Sequence, residues 1–343
     1  MSQFTSPFVE RLVIAPQASF ALVPNAAGVW TNTGAKLLRA GSGCKIKADP
    51  TLITNPMKTG TRSMQPGVSG RKSNNTFSLP NVPIVPSGTG GTPPDMDLLI
   101  QSIFGQAPTG SAYTLLDTGI VPFILARFQH LATSLTQQFA IGCITTDWSI
   151  LFNGDVFSIS ANGKCFWVLD SENFANEDTT GTGGLTTFPV ELVSPTSLGT
   201  LRQGFIGTAT FDGNGVDSTT FPLLKCEIKG KTGNDYTLDA YGTSYGALPS
   251  GGRRMASLAF TFQDCDTAAL NNLKVKAKAK TPMTITLVNG TLTGNITTVV
   301  IKGVQLAVPE YSDEAARVVT AFSDSQASAS TATAVDELNL TFS

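Results

Sequence analysis

The sequence predicts a mostly β protein with a few short helices, in which one unit occurs twice. Three observations point there: short runs alternating apolar and polar residues, two isolated helix signals at matching places, and a series of marks repeated in order in each half. Alternation at period two is the pattern of a half-buried strand, because successive side chains leave opposite faces of the backbone.

The alternating runs are CKIKA (44–48), VFSISANG (156–163), CFWVL (165–169), LKCEIKG (224–230), SLAFTFQD (257–264), MTITLVNG (283–290) and LNLTFS (338–343). Each predicts an antiparallel strand with one face on a core. The first helix signal is TPPDMDLLIQSIFG (92–105): Pro93, Pro94 or Asp95 opens the helix, Leu98, Leu99 and Ile103 form an apolar stripe, and Gly105 closes it. The second is QDCDTAALNNLKVKA (263–277), where Asp264 or Asp266 caps a helix whose Ala269, Leu270 and Leu273 share a face. The overlapping run KVKAKAK places Lys274, Lys276, Lys278 and Lys280 at every second position. On a strand they would line one face, and on a helix they would spread around the cylinder.

The repeated series begins with KLLRAGSGCKIK (36–47) and PLLKCEIK (222–229). A Gly-Arg element follows in each half (Gly60 and Arg62; Gly252 and Arg253), then a Phe-bearing strand (Phe77; Phe260 and Phe262), then the helix. After the helix, IGCITTDWSIL (141–151) matches VVIKGVQLAV (299–308) in pattern. The division expected is 1–176 and 177–343, joined by the Gly- and Thr-rich connection 171–187. The first half adds an amino-terminal arm, 1–35, and a Pro- and Gly-rich segment, 78–95, expected to be an exposed loop.

Composition excludes several functions. With 14% charged residues and a net charge of -2 over 343 residues, bulk electrostatic grip on nucleic acid or an anionic membrane is not expected. The five cysteines, Cys44, Cys143, Cys165, Cys226 and Cys265, are dispersed, so buried thiols are expected rather than a disulfide framework or a zinc site. MSQFTSPFVERL lacks the features of a secretory signal, and GIVPFILA is too short to span a bilayer and contains Pro122, so a soluble chain used without export is expected.

The chain offers little for catalysis. His130 is its one histidine, and nothing around it resembles a nucleophile elbow. GTGGT (88–92), GTGG (181–184) and DGNG (212–215) lack the spacing of phosphate loops and are expected to be turns. ENFANED (172–178) lacks the ordered oxygen ligands of a calcium loop. No catalytic, cofactor-binding or metal-binding residue is expected. Arg62, Arg71, Arg253 and Arg254, together with Lys274, Lys276 and Lys278, are expected at interfaces between subunits or rings, as are Pro83 and Pro86 of the Pro-rich segment.

Taken in succession, several segments resemble the major tail tube proteins of long, non-contractile-tailed bacteriophages over nearly the whole chain. They are the Gly-Arg and Phe element leading to PPDMDLLIQSIFG, then GCITTDWSILFNGD, GGRRMASLAFTFQDCDTAAL, and the ending PEYSDEAARVVTAFSDSQ with DELNLTFS. The resemblance implies two tandem tail-tube-type β-sandwich folds, each with a flanking helix, that join into a ring-shaped β-barrel on oligomerisation. It implies a structural virion protein located in the tail, assembled in the host cytoplasm, whose stacked rings form the channel for DNA ejection. It also implies a ring of six tube folds, with a trimer favoured over a hexamer. The implied partners are further copies of the chain, the tape-measure protein, the tail terminator, the distal tail protein, and phage DNA passing without specific binding, with no membrane insertion. A neutral or acidic lumen suits a sliding polyanion. The alternatives are a two-domain β-sandwich binding glycans through Trp148 and Trp167, and an enzyme using carboxylates such as Asp147 and Asp155.

Overall fold

A computed structural model describes residues 10–17, 33–48, 52–55, 65–69, 75–130, 135–152, 154–170, 191–197, 199–216, 221–236, 249–314, 317–331 and 334–343. Each alternating run named above forms a strand, because each offers one apolar row to a buried face. The first half contains β1 (Glu10–Pro16), β2 (Lys36–Leu38), β3 (Lys45–Lys47), β4 (Leu52–Asn55), β5 (Gln65–Ser69), β6 (Thr76–Pro83), α1 (Asp97–Phe104), β7 (Ala112–Thr114), β8 (Phe123–His130), β9 (Leu135–Leu151), β10 (Ser158–Lys164) and β11 (Trp167–Asp170). The second contains β12 (Gly207–Phe211), β13 (Asn214–Gly215), β14 (Leu223–Lys231), β15 (Asn234–Tyr236), β16 (Pro249–Gly251), β17 (Met255–Gln263), α2 (Ala268–Ala279), β18 (Met283–Asn289), β19 (Thr297–Val304), β20 (Glu310–Glu314), β21 (Arg317–Gln326) and β22 (Leu338–Phe342).

The protein is mostly β with antiparallel pairing and two helices. One sheet runs without a break across both halves in the order β3-β6-β10-β9-β14-β17-β21-β20. The 17-residue β9 belongs to two sheets: its first part pairs with β8 and β11, its last part with β10 and β14. A second layer therefore branches from β9 as β2-β1-β8-β9-β11, while a separate sheet, β13-β12-β18-β19-β22-β7, forms the second layer of the other half. Apolar rows from both layers meet in one continuous core, which the second half fills with Phe211, Phe221, Phe260, Phe262 and Phe322.

The strand order is the same in both halves. β3-β6-β10-β9 corresponds to β14-β17-β21-β20, and β2-β1-β8-β9-β11 to β13-β12-β18-β19-β22. Even an irregularity recurs, since the β8–β9 register slips between Phe123↔Cys143 and Leu125↔Ala140, and the β18–β19 register slips between Met283↔Val304 and Ile285↔Ile301. Gly142 and Gly303 sit at these slips with φ of 64° and 58°, a left-handed conformation that glycine adopts without a Cβ penalty. This corrects the expected match of 141–151 with 299–308, because the bulges set Gly142 on Gly303 rather than on Val300. The long strand β9 thereby does the work of both β19 and β20.

Other expectations are refined. Helix α1 starts at Asp97 behind Met96, and Gly105 closes it in the left-handed conformation, its N–H donating to the Gln101 carbonyl. Helix α2 is capped by Thr267, not by Asp264 or Asp266, and it takes in KVKAKA, so those lysines spread around a cylinder. Residues 78–83 of the supposed loop are the second part of β6, with Val82, Ile84 and Val85 buried. Pro80 is tolerated because β6 bulges between Leu79 and Val82, where Asn81 has φ 51° and its N–H donates to Ser160 Oγ at 3.0 Å, and Pro83 stands at the end of the strand. The arm 1–35 contains β1. The division at 176/177 and the connection 171–187 lie outside the described residues.

Candidate functional site

The two halves meet strand to strand at a seam between β9 and β14. β9 and β14 pair as Glu227↔Leu151, Ile228↔Ile150, Lys229↔Ser149, Gly230↔Trp148 and Lys231↔Asp147. The ladder continues at both ends, with Phe152 N–H donating to the Cys226 carbonyl at 3.1 Å and Thr232 N–H to the Thr146 carbonyl at 2.9 Å. Alternation puts Ile150 and Ile228 together on the core side, both buried. Trp148 lies flat beneath Gly230, where a Cβ would come within 2.3 Å of Trp148 Cζ2, so glycine is demanded here by close approach.

Helix α1 is tied into the seam. Ser102 Oγ accepts from Thr145 N–H at 3.0 Å, and Leu99, Ile100, Ile103 and Phe104 are buried. Beside its carboxyl end, Arg254 of the second half donates from Nη2 to the Gly119 carbonyl at 3.3 Å, and burial lowers its guanidinium pKa. Arg254 thus contributes to a contact inside the chain, while Arg253 is exposed next to it.

On the polar side of the same sheet, β14 carries Lys225, Glu227, Lys229 and Lys231. Glu227 lies 3.3 Å from Lys229 and 4.0 Å from Lys225, and Asp147 lies 3.9 Å from Lys231. Small polar neighbours, among them Ser149, Ser160 and Ser257, line a shallow groove of about 360 Å³ over the seam. The face is therefore a mixed surface of three lysines, two carboxylates and small hydroxyls.

The outer edges of this sheet differ from the seam. Among the described residues, β3 pairs only with β6 and β20 only with β21. β3 presents exposed Lys45 and Lys47 with Ile46 buried between them, and β20 presents exposed Glu310, Tyr311 and Ser312. Tyr311 is 57% exposed and Lys274 stands 5.3 Å over its ring; nearby, Val275 of α2 is 63% exposed. One border is basic, and the other acidic and partly apolar.

The remaining expected contact residues are dispersed. Lys274 bonds Asp264 at 2.6 Å, Lys276 pairs with Asp212, and Lys278 is exposed. Burial pushes Asp264 up, but the hydrogen bonds from Lys274 and Thr320 outweigh it and hold the carboxyl below the usual range. Pro83 ends β6 and Pro86 follows in the segment whose Gly88 N–H donates to the Gly294 carbonyl of the second half at 3.1 Å. Arg62 and Arg71 lie outside the described residues, as does ENFANED.

Cys44, Cys143, Cys165 and Cys226 are buried thiols outside any disulfide, and Cys265 is half-buried. Burial pushes Cys44 up to about 11 and Cys226 up to about 12, so both stay protonated. His130 is bonded to Glu191 at 2.8 Å, and Arg11 bonds the same carboxylate at 2.6 Å. Trp148 and Trp167 are 7% and 2% exposed, so neither presents a ring face for a sugar to stack on. Asp147 faces Lys231, and Asp155 is exposed in the β9–β10 turn. Among the described residues, no group of three or more His, Cys, Asp or Glu could hold a metal ion, and no helix is long and apolar enough to cross a membrane.

No protein-family model matches the chain, and no curated protein sequence matches it significantly.

Proposed function

We propose that this protein is a structural subunit that polymerises into stacked rings and forms the tail tube of a long-tailed bacteriophage, the channel through which DNA leaves the virion. The observation that carries this reading is the unbroken sheet β3-β6-β10-β9-β14-β17-β21-β20, in which two units of equal strand order are already joined edge to edge. A contact that joins the end of one unit to the start of the next can do so again between chains. Such a head-to-tail contact closes into a ring when its rotation allows. The sheet has an even number of antiparallel strands, so a following copy keeps the alternation. Closure pairs the backbone groups that an open edge leaves exposed, as a barrel does.

Size favours three copies. Strands about 4.8 Å apart and tilted about 40° give a cylinder about 48 Å across for three copies of this sheet and about 32 Å for two. Side chains from opposite walls remove about 12 Å, and a duplex with grooves about 8 Å deep on each side fills roughly 20 Å. Two copies leave no clearance, whereas three leave room for hydrated DNA to slide. The carboxylates Glu227 and Asp147 offset part of the lysine charge of the polar face, which suits a lining along which a polyanion slides.

The test is assembly of the purified chain, alone and with the tail initiator or the tape-measure protein, followed by sedimentation and negative-stain imaging. Rings or tubes are expected, and a strictly monomeric species under all these conditions contradicts the proposal.

A further inference from the structure

We propose that the seam inside the chain is copied between chains, so that β20 of one copy pairs with β3 of the next in a defined register: Tyr311 opposite Ile46, Glu310 opposite Lys47, and Ser312 opposite Lys45. This inference rests on the ring proposed above and adds to it which residues meet.

The register comes from equivalences within the chain. The shared bulge sets Gly142 on Gly303. Stepping along both stretches from there brings Ser149 onto Glu310, Ile150 onto Tyr311 and Leu151 onto Ser312. On the other side, Ile228 pairs with Leu258 in β17 and Ile46 pairs with Phe77 in β6, at the same place in each sheet. Cys226-Glu-Ile-Lys229 therefore overlies Cys44-Lys-Ile-Lys47. The seam pairs Ile228↔Ile150, Lys229↔Ser149 and Glu227↔Leu151. Substituting the equivalent residues gives the proposed pairs.

The chemistry of the two borders agrees with that register. Glu310 lands opposite Lys47 and diagonal to Lys45, on the polar side, where opposite charges across strands are favourable. Tyr311 lands on the core side against Ile46. Its counterpart Ile150 is 3% exposed inside the seam, whereas Tyr311 is 57% exposed, the difference expected when the neighbouring copy is what buries it. The helices follow the same logic: α1, beside the internal seam, is buried on most of its surface, while α2, beside the open border, leaves Val275 exposed. A register slipped by one residue would turn Tyr311 to the polar side and separate Glu310 from the lysines.

The experiment is cysteine cross-linking of assembled rings under a mild oxidant. Chains carrying both Ile46→Cys and Tyr311→Cys are expected to give covalent dimers and trimers and nothing larger, and each single substitution to give none. Ile46→Cys with Ser312→Cys is the slipped-register control, expected to cross-link at least 10-fold less. Glu310→Lys is expected to raise the concentration for half-assembly about 10-fold while thermal melting of the unassembled chain stays unchanged, and addition of Lys47→Glu, which puts a carboxylate directly opposite, to lower that concentration again. Rings that form but cross-link through Ser312, or not at all, overturn the register and leave the tube intact. A wild-type chain that never assembles overturns both.

Discussion

At the scale of single residues, one glycine shapes the internal seam and one carboxylate fastens the second helix. Gly230 is required because Trp148 of the facing strand lies across it. Gly230→Ala forces a contact of 2.3 Å to open and is expected to destabilise the chain by about 1–3 kcal/mol, read from urea unfolding. Asp264 accepts from Lys274 at 2.6 Å and from Thr320 at 3.0 Å, fastening α2 to β21. Its pKa is lower when folded, so its contribution is present above the unfolded value and is lost as pH falls through the folded one. Asp264→Asn is therefore expected to cost roughly 1–2 kcal/mol at neutral pH, with the gap from wild type closing below about pH 4. Urea titrations across that range check the sign. Neither role could be read from the sequence, since the partners Trp148 and Thr320 are distant in the chain.

At the scale of elements, what the sequence shows depends on whether the signal is local. The strands β3, β10, β14, β17 and β22 are written as period-two alternation, and that pattern needs no knowledge of the partner strand. The lysines of KVKAKA alternate too, yet they lie in a helix, because Leu270, Leu273 and Ala277 recur at three- and four-residue steps and all are buried. Thr267 caps that helix through its Oγ1, which accepts from Leu270 N–H. Prolines made β6 read as loop, since the bulge at Asn81 that accommodates them is a backbone event with no composition of its own. The same holds for the corrected repeat alignment. The sequence marks the duplicated unit through Cys-x-Ile-Lys, the Phe strand and the helix, but the equivalence of Gly142 with Gly303 rests on backbone conformation.

At the scale of the whole molecule, the duplication leaves a sheet that is joined at its middle and open at both borders among the described residues. The candidate interface was legible only in fragments: Lys45 and Lys47, and the acidic stretch beginning at Glu310, are plain in the sequence, but their places at opposite borders of one sheet are properties of topology. Lys274 and Lys276 form ion pairs and Arg254 a seam contact within the chain. In the proposed ring, these two short, charged borders would be satisfied by closing on further copies of the chain. The most direct measurement is an electron cryo-microscopy reconstruction of assembled rings. The account predicts three chains around one continuous antiparallel barrel, with β20 of each copy beside β3 of the next. Six chains in the ring, or rings whose β3 and β20 borders remain apart, would contradict it.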